Sequence, residues 1–159
     1  LANEKQLKSV LNYIEIGKQE GANLIYGGKQ LTDGHFSKGY FVEPAIFTDV
    51  HPQMRISQEE IFGPVIAVIE INSYEEAIKI ANDVEYGLSA SIVTNSHKLA
   101  NQFTKDIHAG TVKVNRTTTG NLINAPFGGI KRSSTSTYRE SGTEGLDFFT
   151  QTKTVYIGY

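Results

Sequence analysis

The stretch Val65-Ile66-Ala67-Val68-Ile69-Glu70-Ile71 runs through Asn72 into Ser73-Tyr74-Glu75-Glu76-Ala77-Ile78. Residues 65–71 are nearly continuous in β-branched residues, the composition of a strand buried on both faces. Ser73 with Glu76 three positions later is a capping-box signature, so a helix is expected to start there, with Ala77, Ile78 and Ala81 facing the core. Beyond it, Tyr86-Gly87 reads as a turn and residues 89–94 as a strand. Residues 97–107 read as a helix carrying Leu99, Phe103 and Ile107, and residues 111–114 as a further strand. Strand and helix alternating in this rhythm predict right-handed βαβ crossovers. The expected fold class is α/β, an open, mostly parallel twisted sheet with flanking helices.

Toward the amino terminus, Leu7, Val10, Leu11 and Ile14 fall at i, i+3, i+4 and i+7, predicting an amphipathic helix that ends near Gly17 and Gly21. Leu24-Ile25-Tyr26 before Gly27-Gly28 predicts a short strand, and residues 29–40, with Asp33-Gly34, a loop or hairpin. Residues 41–47 predict a strand that Pro44 confines to an edge or a bulge. Toward the carboxyl terminus, residues 115–142 are rich in small polar residues and predict a long loop of the kind that is usually functional or disordered. A helix over residues 143–149 and a strand over residues 150–159 are expected to close the chain.

The chain has 159 residues, a formal net charge of −2, 39% apolar residues and no cysteine. That length suits one domain with a real core. Mixed charges at one residue in five argue against a disordered chain and against a basic nucleic-acid footprint. The longest apolar run, Pro64 to Ile69, falls far below a membrane span. Without cysteine there is no disulfide framework, thiolate metal site or thiol nucleophile within these residues. The chain starts at Leu1 and shows no signal peptide, so a piece of a longer, cytoplasmic protein is expected.

No self-sufficient catalytic constellation is present. His35, His51, His97 and His108 lack metal-ligand spacing and read as structural or surface residues. No serine elbow and no phosphate-binding glycine loop occurs. Two stretches stand out. Glu59-Glu60-Ile61-Phe62-Gly63-Pro64-Val65 sets two carboxylates and an aromatic before the apolar strand. Such a carboxylate accepts hydrogen bonds from a ribose diol, acts as a base, or simply sits in a solvated loop. The loop from Asn115 to Gly129 follows a predicted strand, and ligands of open α/β sheets gather beyond the carboxyl ends of strands. Within it, Arg116 suits either a substrate carboxylate or a surface ion pair.

Read in order, these and further segments resemble the carboxy-terminal part of the aldehyde dehydrogenase superfamily. The resemblance rests on Tyr13-Ile14-Glu15-Ile16-Gly17-Lys18-Gln19-Glu20-Gly21-Ala22, Gly39-Tyr40-Phe41-Val42-Glu43-Pro44-Ala45 and the Glu59 to Val65 motif. It continues through Tyr86-Gly87-Leu88-Ser89-Ala90, Gly110-Thr111-Val112-Lys113-Val114-Asn115, Pro126-Phe127-Gly128-Gly129-Ile130-Lys131 and Thr150-Gln151-Thr152-Lys153-Thr154-Val155. One such string is weak; this many in order are specific. The strings Asn115-Arg116-Thr117-Thr118-Thr119-Gly120 and Ser133-Ser134-Thr135-Ser136-Thr137-Tyr138-Arg139-Glu140 further resemble the 2,5-dioxopentanoate (α-ketoglutaric semialdehyde) dehydrogenases.

The resemblance implies that Glu60 binds the ribose next to the nicotinamide of NAD or NADP, that Phe62 packs beside the nicotinamide, and that Phe127 lies near the substrate tunnel. It gives Arg116 a carboxylate-bearing aldehyde to hold. It also implies two parts, residues 1–149 as catalytic-domain remainder and residues 150–159 as an oligomerisation strand that joins a homodimer or homotetramer. The family's cysteine nucleophile, general-base glutamate and oxyanion asparagine lie upstream of everything matched. No catalytic residue and no metal ligand is therefore expected within this chain, which alone should be inactive. The expected partners are a small aldehyde and further copies of the chain, with no nucleic acid and no membrane. The competing reading is a non-catalytic α/β binding or assembly module that kept the scaffold.

Overall fold

The periodicity at residues 7–14 forms helix α1 (Glu4–Gln19). Asn3 caps it, its side chain accepting from the Gln6 amide at 2.9 Å, which satisfies one of the orphan donors at the helix start. Leu7, Val10, Ile14 and Gly17 are its buried residues. Gly17 thus lies inside the helix and not at its end. A Cβ there would stand 3.1 Å from Ile56 and 3.2 Å from Phe47, so the glycine admits close packing. The helix stops instead at Gly21, whose φ of +97° is left-handed.

A computed structural model describes residues 1–134 and 139–159. Thr135, Ser136, Thr137 and Tyr138 of the second semialdehyde-dehydrogenase-like string lie outside the described residues. The contacts divide the chain into two compact units, Leu1–Ser73 and Tyr74–Tyr159.

In the first unit, strand β1 (Asn23–Tyr26) is followed by β2 (Gln30–Leu31), a 3-10 turn (Gly34–Lys38) and β3 (Phe41–Val42). Strands β2 and β3 pair antiparallel, as a hairpin should. Next come β4 (Ala45–Thr48), α2 (Arg55–Gln58) and β5 (Val65–Ala67). The sheet order is β1-β4-β5, with β4 antiparallel to β1 and parallel to β5. Pro44 therefore borders the central strand rather than an edge. It stands just before the strand's first residue, where its missing N–H breaks no ladder bond. Val10, Ile14, Ala22, Ala45, Phe47, Val50 and Ile56 form the core.

The run 65–71 behaves differently from its composition. Only Val65–Ala67 is strand, at the sheet's edge, and Ile66 is 56% exposed. Val65, Ala67 and Ile69 pack on the core, so one face of the run is used and the other is open. Residue type alone does not distinguish a strand with two covered faces from one with a single covered face.

The second unit contains α3 (Tyr74–Asn82), β6 (Tyr86–Gly87), β7 (Ser89–Ile92), α4 (His97–Asp106), β8 (Thr111–Val114), β9 (Ile130–Lys131) and α5 (Gly142–Phe148). Ser96 caps α4 through the Leu99 amide, and Phe103 of α4 is buried. Strands β7 and β8 pair parallel with α4 between them, the expected βαβ connection. Tyr86-Gly87 is a strand and not a turn, pairing antiparallel with β9.

The α/β content thus holds, but the described strands fall into four small sheets rather than one open, mostly parallel sheet. The reason lies in partner choice. Strand β5 takes β4 and β7 takes β8, while β1, β2 and β6 make antiparallel pairs. Residues 150–159, expected as a strand, form neither helix nor strand and are all exposed. A strand needs a neighbour's backbone to complete its ladder, and alternation of side chains cannot provide one.

Candidate functional site

The loop after α2 separates its two carboxylates. Arg55 donates from Nε to Glu59 Oε1 at 2.7 Å and from Nη2 to Oε2 at 2.8 Å. Tyr13 of α1 donates its hydroxyl to the same Oε2 at 2.6 Å, and the Arg55 guanidinium lies 5.5 Å from the Tyr13 ring centroid. The Arg55 and then the Tyr13 hydrogen bond draw the Glu59 carboxyl down to about 2. The same carboxylate holds the Tyr13 hydroxyl above its ordinary value. Glu59 is a fastening point. Glu60 is exposed and makes no hydrogen bond or ion pair among the described residues.

Helix α1 also sets the backbone that follows. Gln6 Nε2 donates to the carbonyls of Ile61 at 3.0 Å and Phe62 at 3.1 Å. Gly63 presses on the Val10 side chain, leaving no room for a Cβ. Phe62 between them has φ +55° and is 77% exposed. A left-handed phenylalanine costs about 1–2 kcal/mol, and such strain gathers at ligand sites. Packing beneath the loop therefore displays Glu60 and Phe62 outward.

In the second unit the chain leaves β8 through Asn115, at φ +53°. Its side chain accepts from the Thr94 amide at 2.8 Å and donates to the Thr94 carbonyl at 3.0 Å, tying together the ends of the two parallel strands. The following loop folds over the strands. Ser91 Oγ donates to the Arg116 carbonyl at 2.5 Å, Ser89 Oγ to the Thr118 carbonyl at 3.2 Å, and Lys113 Nζ to the carbonyls of Thr118 at 3.2 Å and Thr119 at 2.7 Å.

A cavity of about 650 Å³ lies between β8 and this loop, lined among others by Lys113, Arg116, Thr117, Thr119 and Asn121. Arg116 is exposed and makes no ion pair among the described residues. Phe127 does not line this cavity. It is half-buried, and its amide and carbonyl pair with Glu140 at 2.6 and 2.7 Å. Among the described residues no group of His, Asp and Glu is arranged to hold a metal, and no helix is long and apolar enough to cross a membrane.

Sequence reasoning missed Gln6, Tyr13, Arg55 and Lys113, which hold the two loops. Only the Arg55 to Glu59 spacing of four carries a local signal. The other three act on partners remote in sequence or on backbone carbonyls, so no local spacing announces the role, although Tyr13 and Lys113 stand in the strings that carry the family resemblance.

The aldehyde dehydrogenase family model matches residues 1–155. The alpha-ketoglutarate semialdehyde dehydrogenase of Haloferax volcanii is 55% identical over 99% of this chain and 33% of its own length. The alpha-ketoglutaric semialdehyde dehydrogenase of Bacillus subtilis is 51% identical over 99% of this chain and 32% of its own. The 2,5-dioxopentanoate dehydrogenase of Saccharolobus solfataricus is 46% identical over 100% of this chain and 32% of its own. The chain thus spans about a third of the length of the curated relatives it matches. Among solved structures, the NAD+ complex of aldehyde dehydrogenase from Bacillus cereus superposes with a TM-score of 0.91 at 44% identity, covering 99% of this chain and 30% of that one. With fold and sequence in agreement along nearly its whole length, the chain belongs to the aldehyde dehydrogenase family.

Proposed function

We propose that this chain is the cofactor-ribose and substrate-carboxylate portion of an NAD(P)-dependent aldehyde dehydrogenase that oxidises a carboxylate-bearing semialdehyde to the corresponding dicarboxylic acid. The observation that carries the reading is Arg116, an unpaired guanidinium lining a cavity whose other cation, Lys113, is engaged with backbone carbonyls. A fork of donors there matches a carboxylate in a charge-assisted, bidentate pair. The names of the three relatives, all semialdehyde or dioxopentanoate dehydrogenases, support it.

The residues present fit a dinucleotide at the loop 59–65. Both Glu60 oxygens are free to accept from a ribose diol, and the exposed Phe62 ring offers an apolar face for a flat nicotinamide. When bound, the dinucleotide supplies the two-electron acceptor that converts an aldehyde and water into an acid. Glu60 orients the ribose and exchanges no proton. Arg116 orients the aldehyde from its far end. The chain has no cysteine, so thiolate attack belongs to residues outside it, and the 159 residues alone should be inactive. Assembly as a homodimer or homotetramer through residues 150–159 completes the proposal, supported by exposed Val155, Tyr156, Ile157 and Tyr159.

The test is steady-state kinetics of the full-length protein containing this chain, with Arg116→Ala. The KM for an aldehyde ending in a carboxylate should rise at least about tenfold more than that for a neutral aldehyde of equal length. Equal rises would overturn the carboxylate reading.

A further inference from the structure

The face of the β7–β8 pair beneath the Arg116 loop is built for a single purpose. Ser89 and Ser91 lie two apart on β7 and so share one side, and Ser91 is the register partner of Lys113 on β8. All three polar ends reach up to the loop's backbone. Together they make four hydrogen bonds to the carbonyls of Arg116, Thr118 and Thr119. Lys113 makes two of these, and a charged donor bonds roughly twice as strongly as a hydroxyl. The chain turns at Gly120, with φ +77°, directly after the clamped carbonyls.

We propose that Lys113 is a positioning residue for substrate specificity: by clamping the carbonyls of Thr118 and Thr119 to β8, it holds the loop so that Arg116 presents its guanidinium at one place in the cavity. This rests on the reading of Arg116 as the carboxylate-binding group. Lys113 lines the same cavity, but two of its three donors are spent on backbone carbonyls, which makes it an anchor rather than a second ligand for the substrate. An arginine on an unclamped loop would have to be ordered by each substrate in turn, and that ordering lowers affinity for the group it binds.

The test is a double-mutant cycle in the full-length enzyme, read as KM for a carboxylate-bearing aldehyde divided by KM for a neutral one, alongside the rate of tryptic cleavage after Arg116, which requires the loop to leave the strands. Lys113→Met should raise the ratio about tenfold and speed that cleavage, while Lys113→Arg, which keeps a charged donor, restores most of both. In the Arg116→Ala background Lys113→Met should move the ratio little further. An undiminished effect there means that Lys113 contacts the carboxylate itself, and overturns the proposal. So does a selective Arg116→Ala paired with a non-selective Lys113→Met, or unchanged cleavage after Arg116 in Lys113→Met. A non-selective Arg116→Ala overturns the carboxylate reading of Arg116 and the positioning role with it.

Discussion

Tyr13 of α1 donates its hydroxyl to Glu59 at 2.6 Å, joining helix α1 to the carboxylate that Arg55 also holds. That bond divides the labour between two adjacent acids. Glu59 is consumed in fastening the loop, and its neighbour Glu60 is left with its lone pairs free.

The fastening is pH-dependent. The Glu59 carboxyl is drawn down to about 2 from an ordinary 4.5, so it binds fewer protons folded than unfolded between these values. Its stabilisation is fully present above about 4.5 and is lost as pH falls toward 2. The pair is about half exposed, which limits the effect. Glu59→Gln should lower Tm at neutral pH by no more than about 4 °C and flatten the fall of Tm with acidity in that window. Calorimetry across pH 2–6 would show an unchanged slope if the pair were idle.

Glu60→Gln should do the reverse. With no partner among the described residues, Glu60 contributes nothing that Tm would register. An amide keeps one acceptor oxygen but loses the charge, so the KM for the dinucleotide should rise about tenfold. A Tm loss with unchanged cofactor KM would reverse the assignments of the two acids.

Gly63 is a steric requirement. Any Cβ there collides with Val10, so Gly63→Ala should destabilise by about 1–3 kcal/mol. Combining it with Val10→Ala opens the space that the new methyl needs. The double variant should therefore be more stable than the sum of the two single losses, and denaturant melts of the four proteins would show strict additivity if the contact were unimportant.

What was legible in the sequence is what is local. The helices α1 and α4 and the strand β8 follow from side-chain type and spacing within a few residues of each other. Gly17 misled because its neighbours Phe47 and Ile56 lie far downstream, and only their packing explains a glycine inside a helix. The run 65–71 misled because composition reports that residues are apolar and not which face is covered. At the candidate site, Glu60, Phe62 and Arg116 carried motif signals. The holding roles of Gln6 and Lys113 carried none, since both grip backbone carbonyls, which every residue has. Phe127 carried a signal too, but it does not line the Arg116 cavity.

The carboxyl terminus supplies the last prediction. Residues 150–159 alternate as a strand does, yet they form no ladder, and Val155, Tyr156 and Ile157 are 66%, 92% and 70% exposed. A polar tail gains nothing from a partner; one carrying a valine, an isoleucine and two tyrosines gains about 25 cal/mol for each Å² of apolar surface that it buries. Its unpaired amides and carbonyls are also a ready template for another strand edge. Removing residues 154–159 from the full-length protein should therefore lower its mass by light scattering at equal concentration, from oligomer toward monomer. Replacing Tyr156 and Ile157 by Ser should do the same while leaving the backbone intact. An unchanged mass in both variants would assign assembly to another surface.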